Sequence, residues 1–245
     1  MTKVIFDSQI FSLQQFGGIS RYICALAEHL SQQPGMTVQI LAPLHVNQYL
    51  RELKGSHAGL VQGAYMHPLP KLGHWVANVS NLLFSLAAKS SQPDIVHETY
   101  YSATPTYKGN AARVLTVYDL IHEKFPKSFL PGDPIAHNRA KAIRRADHII
   151  CISESTRRDL IEIHQVPEHK ISVTYLGYDT LSASSLVASA LVGSKPYLLY
   201  VGSRHGYKNF DGLVRAFAAS PVLKASVRIV CFGGGMLTPA ERSLL

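Results

Sequence analysis

Cysteine is scarce in this chain. Its 245 residues hold only Cys24, Cys151 and Cys231, far apart and with no Cys-x-x-Cys spacing. That excludes a disulfide framework and argues against a structural zinc site. A sparse, odd number of thiols fits burial in a reducing cytoplasm. Charged residues are few as well, at 16%, and no dense Lys/Arg run is interleaved with aromatics, so nucleic acid is not an expected partner. No apolar run reaches the length of a transmembrane helix. The opening Met1-Thr2-Lys3-Val4-Ile5-Phe6-Asp7 is too short an apolar run for a signal peptide. The expectation is a cytoplasmic chain, soluble or attached only to a membrane surface at its inner face.

Several catalytic fingerprints are missing too. Gly17-Gly18 lacks the Gly-x-Gly-x-x-Gly spacing of a nicotinamide-binding turn. Gly233 and Gly235 supply two of its glycines, but Thr238 stands at the third position. There is no Gly-Lys-Ser/Thr phosphate loop and no nucleophile elbow. What the chain does have is 47% apolar residues and a net charge of +8, from 24 Lys and Arg against 16 Asp and Glu. That composition describes a folded globular protein with a positive balance suited to an anionic ligand or an acidic surface.

Periodicity organises the chain. Val4 to Phe6 reads as a buried strand. A loop through Gly17 and Gly18 follows, then a helix carrying Ile19, Tyr22, Ile23, Leu26, Ala27 and Leu30, with Ser20 as a candidate cap. Val38 to Ala42 is the next strand, which makes a βαβ unit and predicts a parallel sheet. A further strand is expected near Leu60 to Met66. Trp75, Val76, Val79, Leu82, Leu83 and Leu86 line one face of a helix. That face either packs on the core or meets a membrane or acceptor. Strands over Asp94–His97, Arg113–Tyr118, His148–Ile152 and Ile171–Tyr175 follow. Helices opening at Pro134 and at Ser153 or Ser155 alternate with them. The pattern predicts a doubly wound, Rossmann-like α/β domain over 1–180.

Residues 181–195 are rich in Ser and Ala and nearly free of charge, and they read as a linker. Residues 196–245 hold one more βαβ unit: a buried strand at 197–201, a helix from about Lys208, and a strand from Val227 to Phe232. The junction Tyr197-Leu198-Leu199-Tyr200-Val201-Gly202-Ser203-Arg204-His205-Gly206-Tyr207-Lys208-Asn209-Phe210 places Arg204 and Lys208 where a strand gives way to a helix N-terminus. Helix dipole, free N–H groups and two cations suit a phosphate or diphosphate there. The competing possibility is a surface loop with two solvated cations.

That segment resembles the start of the second domain of retaining glycosyltransferases of family 4, which have the GT-B fold. Four further motifs agree in order and spacing: Gly17-Gly18, Tyr118-Asp119-Leu120-Ile121-His122-Glu123, Ile152-Ser153-Glu154-Ser155-Thr156-Arg157-Arg158-Asp159-Leu160, and Leu176-Gly177-Tyr178-Asp179. The resemblance implies a hexosyltransferase with a nucleotide-sugar donor and a saccharide or lipid-linked acceptor. It needs neither metal nor cofactor, and it associates peripherally with membranes. It implies that Arg204, Lys208, Gly17 and Gly18 bind the donor diphosphate.

Near the acceptor, relatives often place a His immediately before the Asp, where this chain has Tyr118. Asp119, His122 and His97 remain as candidate catalytic groups, each with a structural alternative. The family's two-glutamate motif, which contacts the donor sugar and ribose, is missing: beyond Asp211 the one carboxylate is Glu241. The chain is therefore expected to be a fragment, a designed piece or an interrupted gene, with little or no transferase activity alone. A non-catalytic acceptor-binding or scaffold module is the alternative. A nucleotide-sugar epimerase shares the fold, but the Arg204–Lys208 pattern suits a transferase better.

Overall fold

The computed structural model describes residues 1–57, 59–68, 73–178, 196–204 and 206–244. They divide into two compact units. Unit 1 holds residues 1–123 and 133–176, and unit 2 holds 124–132 and 177–245. The linker expected over 181–195 lies outside the described residues.

Unit 1 is built on seven parallel strands: β1 (Thr2–Phe6), β2 (Met36–His45), β3 (Val61–Tyr65), β4 (Ile95–Glu98), β5 (Ala112–Val117), β6 (His148–Cys151) and β7 (Ile171–Val173). Their order is β3-β2-β1-β4-β5-β6-β7. The chain winds outward from β1 to β3, then returns to lay β4 against the other side of β1. Val4 is thus registered with Val38 on one side and Ile95 on the other. Such a reversal opens a crevice at the carboxyl ends of β1 and β4, where ligands of open α/β sheets bind.

Helices cover both faces, and strand alternation decides which residue meets which layer. Val4 and Phe6 pack with Val38, Ile40 and Ala42 against Ile23, Cys24 and Ala27 of helix α2 (Gly18–Ser31). The intervening Ile5 and Leu41 point the other way, to Phe84 and Ala88 of helix α4 (Gly73–Ser91). Helices α6 (Ile135–Arg145) and α7 (Glu154–His164) complete the second half of the core with Ala142, Ile143 and Leu160. Ser153 caps α7, its hydroxyl accepting the Thr156 N–H at 3.1 Å.

The structure adds two short helices that the apolar pattern does not announce, α1 (Gln9–Leu13) and α3 (Gln48–Ser56). It also corrects four expectations. Ser20 does not cap α2. It lies buried inside the helix and donates to the Gly17 carbonyl at 3.0 Å, with Gly17 in the cap position. The stripe of α4 is rotated from the expected one. Val76, Ser80, Phe84 and Ala88 face inward, whereas Leu82 and Leu86 are 65% and 61% exposed. Row 76-80-84-88 brings the ring of Phe84 onto the sheet, which leaves the second apolar row on the surface. The third concerns thiols: Cys24 and Cys151 are buried, but Cys231 is exposed.

The fourth lies in unit 2. A two-stranded parallel sheet joins β8 (Tyr197–Val201) to β9 (Arg228–Phe232), with α8 (Phe210–Ala218), α9 (Pro221–Ser226) and α10 (Pro239–Leu244). The apolar run of β8 suits a strand covered on both faces. Among the described residues it is not so covered: Leu199 and Val201 are 56% and 64% exposed. Helix α8 begins at Phe210 instead of Lys208, because Asn209 sits at φ 50° and breaks the helical path. Among the described residues no helix is long and apolar enough to cross a membrane.

Candidate functional site

The crevice between β1 and β4 is closed at its floor by a carboxylate that the sequence reading missed. Asp7 follows directly on β1 and is fully buried. Its oxygens accept from the Thr99 amide at 2.9 Å, the Thr99 hydroxyl at 2.6 Å, the Thr106 hydroxyl at 2.9 Å and the Gln9 side-chain amide at 2.7 Å. Burial raises its pKa, and those hydrogen bonds oppose the rise. Asp7 thus ties the end of β1 to the loop after β4, with no free lone pair facing a ligand. An acidic residue closing an apolar strand at a switch point is the signal that could have revealed it.

His97 lies within β4, 4% exposed, stacked on Phe6 at 4.9 Å, with Nε2 2.9 Å from the Thr116 hydroxyl. Burial lowers its pKa to about 4, so the ring is neutral at physiological pH. Tyr118, immediately before Asp119, is buried and edge-on to Tyr22. Its hydroxyl has no hydrogen-bond partner among the described residues.

Above this floor a cavity of about 560 Å³ opens in unit 1. Gln9 and Gln14 from the α1 region line it, with Asn78 and Asn81 of α4, Tyr100 and Tyr101 after β4, and Asp133 and Asn138 at the start of α6. Amides and tyrosines dominate, with Asp133 as the one charged side chain in the lining. Gly18 opens α2, and a Cβ placed there would meet nothing within 4 Å. Gly17 has φ 177°, an extended conformation open to any residue. A Cβ at Gly17 would collide with the Gln14 side chain, so room is left at Gly18 and not at Gly17, and Gly17 is not forced by backbone geometry.

Asp119 and His122 are brought together by a residue not singled out from sequence, Arg139 of α6. Its guanidinium is 1% exposed. It forks onto Glu123, Nε to Oε1 at 3.0 Å and Nη2 to Oε2 at 2.9 Å. It also donates to the Asp119 carbonyl, to Asp119 Oδ1 at 3.2 Å and to His122 Nδ1 at 3.2 Å. The ring of Tyr101 lies 4.9 Å from the same group. His164 Nε2 stands 3.6 Å from Glu123, and His122 Nε2 stands 3.9 Å from Asp133. Burial and then the Arg139 charge lower the pKa of His122, against the pull of Asp133, Asp119 and Glu123. The His97 ring bonds Thr116 and does not join this network. Among the described residues no group of three or more His, Cys, Asp or Glu could hold a metal ion.

In unit 2 the two sequence-predicted cations have different surroundings. Arg204 is buried, and its Nε donates to Glu241 at 2.8 Å, which holds that carboxyl down to about 2. Its remaining N–H groups clasp the carbonyls of Gly233, Gly234, Gly235 and Met236 at 2.9–3.2 Å. Those carbonyls converge because three successive glycines hold φ 86°, 71° and 72°, a path that side chains oppose. Lys208 is exposed on the turn Gly206–Lys208, its ammonium 5.0 Å from the Tyr207 ring centre. A cavity of about 480 Å³ beside this turn is lined by Arg204, Gly206, Asn209, Arg215, Thr238 and Glu241, among others.

Parallel strands wound both ways from a central switch place the chain in the GT-B class of α/β folds, and solved structures agree. An S. aureus MnaA–UDP co-structure superposes with TM-score 0.55 at 13% identity, covering 100% of this chain and 65% of that one. A UDP-GlcNAc 2-epimerase from Neisseria meningitidis bound to UDP-GlcNAc gives 0.58 at 10% identity, covering 99% and 68%. The lipopolysaccharide outer core galactosyltransferase WaaB, in its apo form, gives 0.50 at 15% identity, covering 100% and 70%. The chain spans about 65% of the length of the first of these. No curated protein matches the sequence significantly. The sequence of residues 16–181 matches Glycosyltransferase Family 4. The chain belongs to that family.

Proposed function

We propose that this chain serves glycosyl transfer, moving a hexose with retention of configuration from a nucleotide-diphosphate sugar to a saccharide or lipid-linked acceptor. The observation that carries the reading is the 560 Å³ pocket at the carboxyl end of the unit 1 sheet, in a family 4 chain. Tyrosine faces and side-chain amides suit sugar rings and hydroxyls, and a lining with a single carboxylate suits an uncharged acceptor. In unit 2, Lys208 is the cation that meets donor phosphate, and Arg204 acts by holding the glycine loop 233–235. In unit 1, the Gly17-Gly18 helix start offers N–H groups to phosphate oxygen.

In the proposed reaction the anomeric carbon–phosphate oxygen bond breaks as the acceptor hydroxyl bonds to that carbon on the same face. The hydroxyl proton passes to the departing phosphate. Asp119 and His122 orient the acceptor, while His97, neutral and engaged with Thr116, supports the sheet end. No protein base is then required. Beyond Lys208 the chain offers only Asp211 and Glu241 as carboxylates, and Glu241 is committed to Arg204. Leu82 and Leu86 on α4 are the proposed membrane-facing residues.

The solved structures that superpose on this chain include a UDP-GlcNAc 2-epimerase, which favours nucleotide-sugar epimerisation as the second reading. An NMR titration with UDP, GDP and ADP, followed by addition of saccharides, tests the proposal. Amide shifts in unit 2 with a nucleoside diphosphate and in the unit 1 pocket with saccharide support transfer. Shifts with a nucleoside diphosphate and none with any saccharide would favour the epimerase. No shift with either ligand class would overturn both.

A further inference from the structure

Glycine stands at position 17 although the backbone there does not require it, since a φ of 177° is open to any residue. The requirement comes from a side chain. A methyl carbon on Gly17 would run into Oε1 and Cδ of Gln14. Only glycine has a hydrogen in place of that carbon, and the hydrogen meets Oε1 in a C–H···O contact. Among the described residues Oε1 has no hydrogen-bond partner, and it is shut off from solvent. We infer that Gly17 and Gln14 act as a pair: Gly17 seats the amide oxygen, and Gln14 thereby turns its NH2 group into the unit 1 pocket as a specificity-determining donor to an uncharged saccharide oxygen.

The backbone of Gln14 is pinned from two sides. Its N–H donates to the Ile10 carbonyl at 3.0 Å as α1 ends, and its carbonyl accepts from Nδ2 of the buried Asn47 at 2.8 Å. Asn47 is itself fixed, because its Oδ1 caps α3 by accepting the Leu50 N–H at 3.0 Å. Only the Gln14 side chain can still turn, and it lines the 560 Å³ pocket. Other amides of the lining are committed elsewhere. Gln9 gives its Nε2 to Asp7 at 2.7 Å, and Oδ1 of Asn81 accepts from the Ser8 hydroxyl at 3.0 Å. Nε2 of Gln14 has no such partner among the described residues, and unlike Oε1 it is not shut off from solvent. An amide left without partners costs free energy that a ligand oxygen taking the N–H restores. Two neutral donors suit a hydroxyl or ring oxygen, and the one carboxylate in the lining, Asp133, opposes an anion there.

The donor role rests on the proposed function for its saccharide; the pairing of the two residues rests on geometry. NMR of the wild-type chain, with the Gln14 side-chain NH2 assigned by its loss in Gln14→Leu, tests both. An Overhauser contact between that side chain and the Gly17 Hα is expected. Gly17→Ala is expected to shift the Gln14 NH2 signals and to keep the dispersion of the other amides, because the atoms that must yield are the end of a flexible side chain. Titrations then use methyl glucoside, methyl galactoside and N-acetylglucosamine. The tightest of them is expected to bind about fivefold more weakly to Gln14→Leu and to Gly17→Ala, and no more weakly still to the double variant. A wild-type spectrum without the Overhauser contact overturns the pairing, even where Gly17→Ala fails to fold. Equal saccharide affinity in the wild type and Gln14→Leu overturns the donor role and leaves the functional reading standing. A wild type that binds none of the three sinks the functional reading and the donor role together, with the pairing upheld by the contact.

Discussion

His97 was a candidate catalytic base, and its surroundings make it a sensor of acid in the core. The unfolded chain protonates histidine near 6.5, whereas burial lowers the folded pKa of His97 to about 4. Between those values the unfolded state binds more protons than the native state. Stability is full above about 6.5 and falls as pH drops through the window. At pH 4.5 the linkage amounts to about 2.5 kcal/mol, a large share of the 5–15 kcal/mol typical of a domain. His45 repeats the effect: it is fully buried, its ring nitrogens have no hydrogen-bond partner among the described residues, and its pKa also falls to about 4. His97→Gln keeps polar atoms near Thr116 but cannot titrate. Urea unfolding of both proteins at pH 7.5, 5.5 and 4.5, read by far-UV circular dichroism of the helices, gives the comparison. The wild-type midpoint is expected to fall by roughly 1 M more than that of the variant over this range, for a urea slope of about 2 kcal/mol/M. Equal losses in the two proteins would refute the burial argument and reopen a protonatable role for His97.

Asp7→Ala strands the buried Thr99 amide and two threonine hydroxyls, and is expected to cost about 3 kcal/mol in thermal or urea unfolding; a loss under 1 kcal/mol would contradict the tie between β1 and β4. Leu82→Glu with Leu86→Glu changes two exposed side chains and is expected to leave the unfolding midpoint unchanged while abolishing co-sedimentation with anionic phospholipid vesicles; undiminished binding would remove α4 as the membrane face.

The layered α/β class was legible because strand runs such as Val38 to Ala42 and helical stripes such as Ile23 to Leu30 carry distinct periods. The site was legible only in part. Asp119 and His122 stand three apart in one motif, and the sequence placed them together. Arg139, the group that joins them, lies seventeen residues beyond His122 on another helix, where its neighbours read as an ordinary basic stretch. Burial of a charged side chain depends on what the fold brings to it, and no local pattern encodes that. Lys208 and Arg204 show the same limit. Both read as cations of one anion site, yet tertiary contacts give Arg204 a carboxylate and four carbonyls and leave Lys208 at the surface. The exposed row of α4 was misassigned because two apolar rows share the helix, and helical spacing alone does not say which one meets the sheet.

The central claim, that the turn after β8 grips the diphosphate of a sugar donor, is tested most directly at Lys208. Its exposed ammonium contributes little to the fold, so Lys208→Ala is expected to unfold like the wild type and to bind nucleoside diphosphate about tenfold more weakly by NMR titration. Equal affinities in the two proteins, with the same amides shifting, would contradict it.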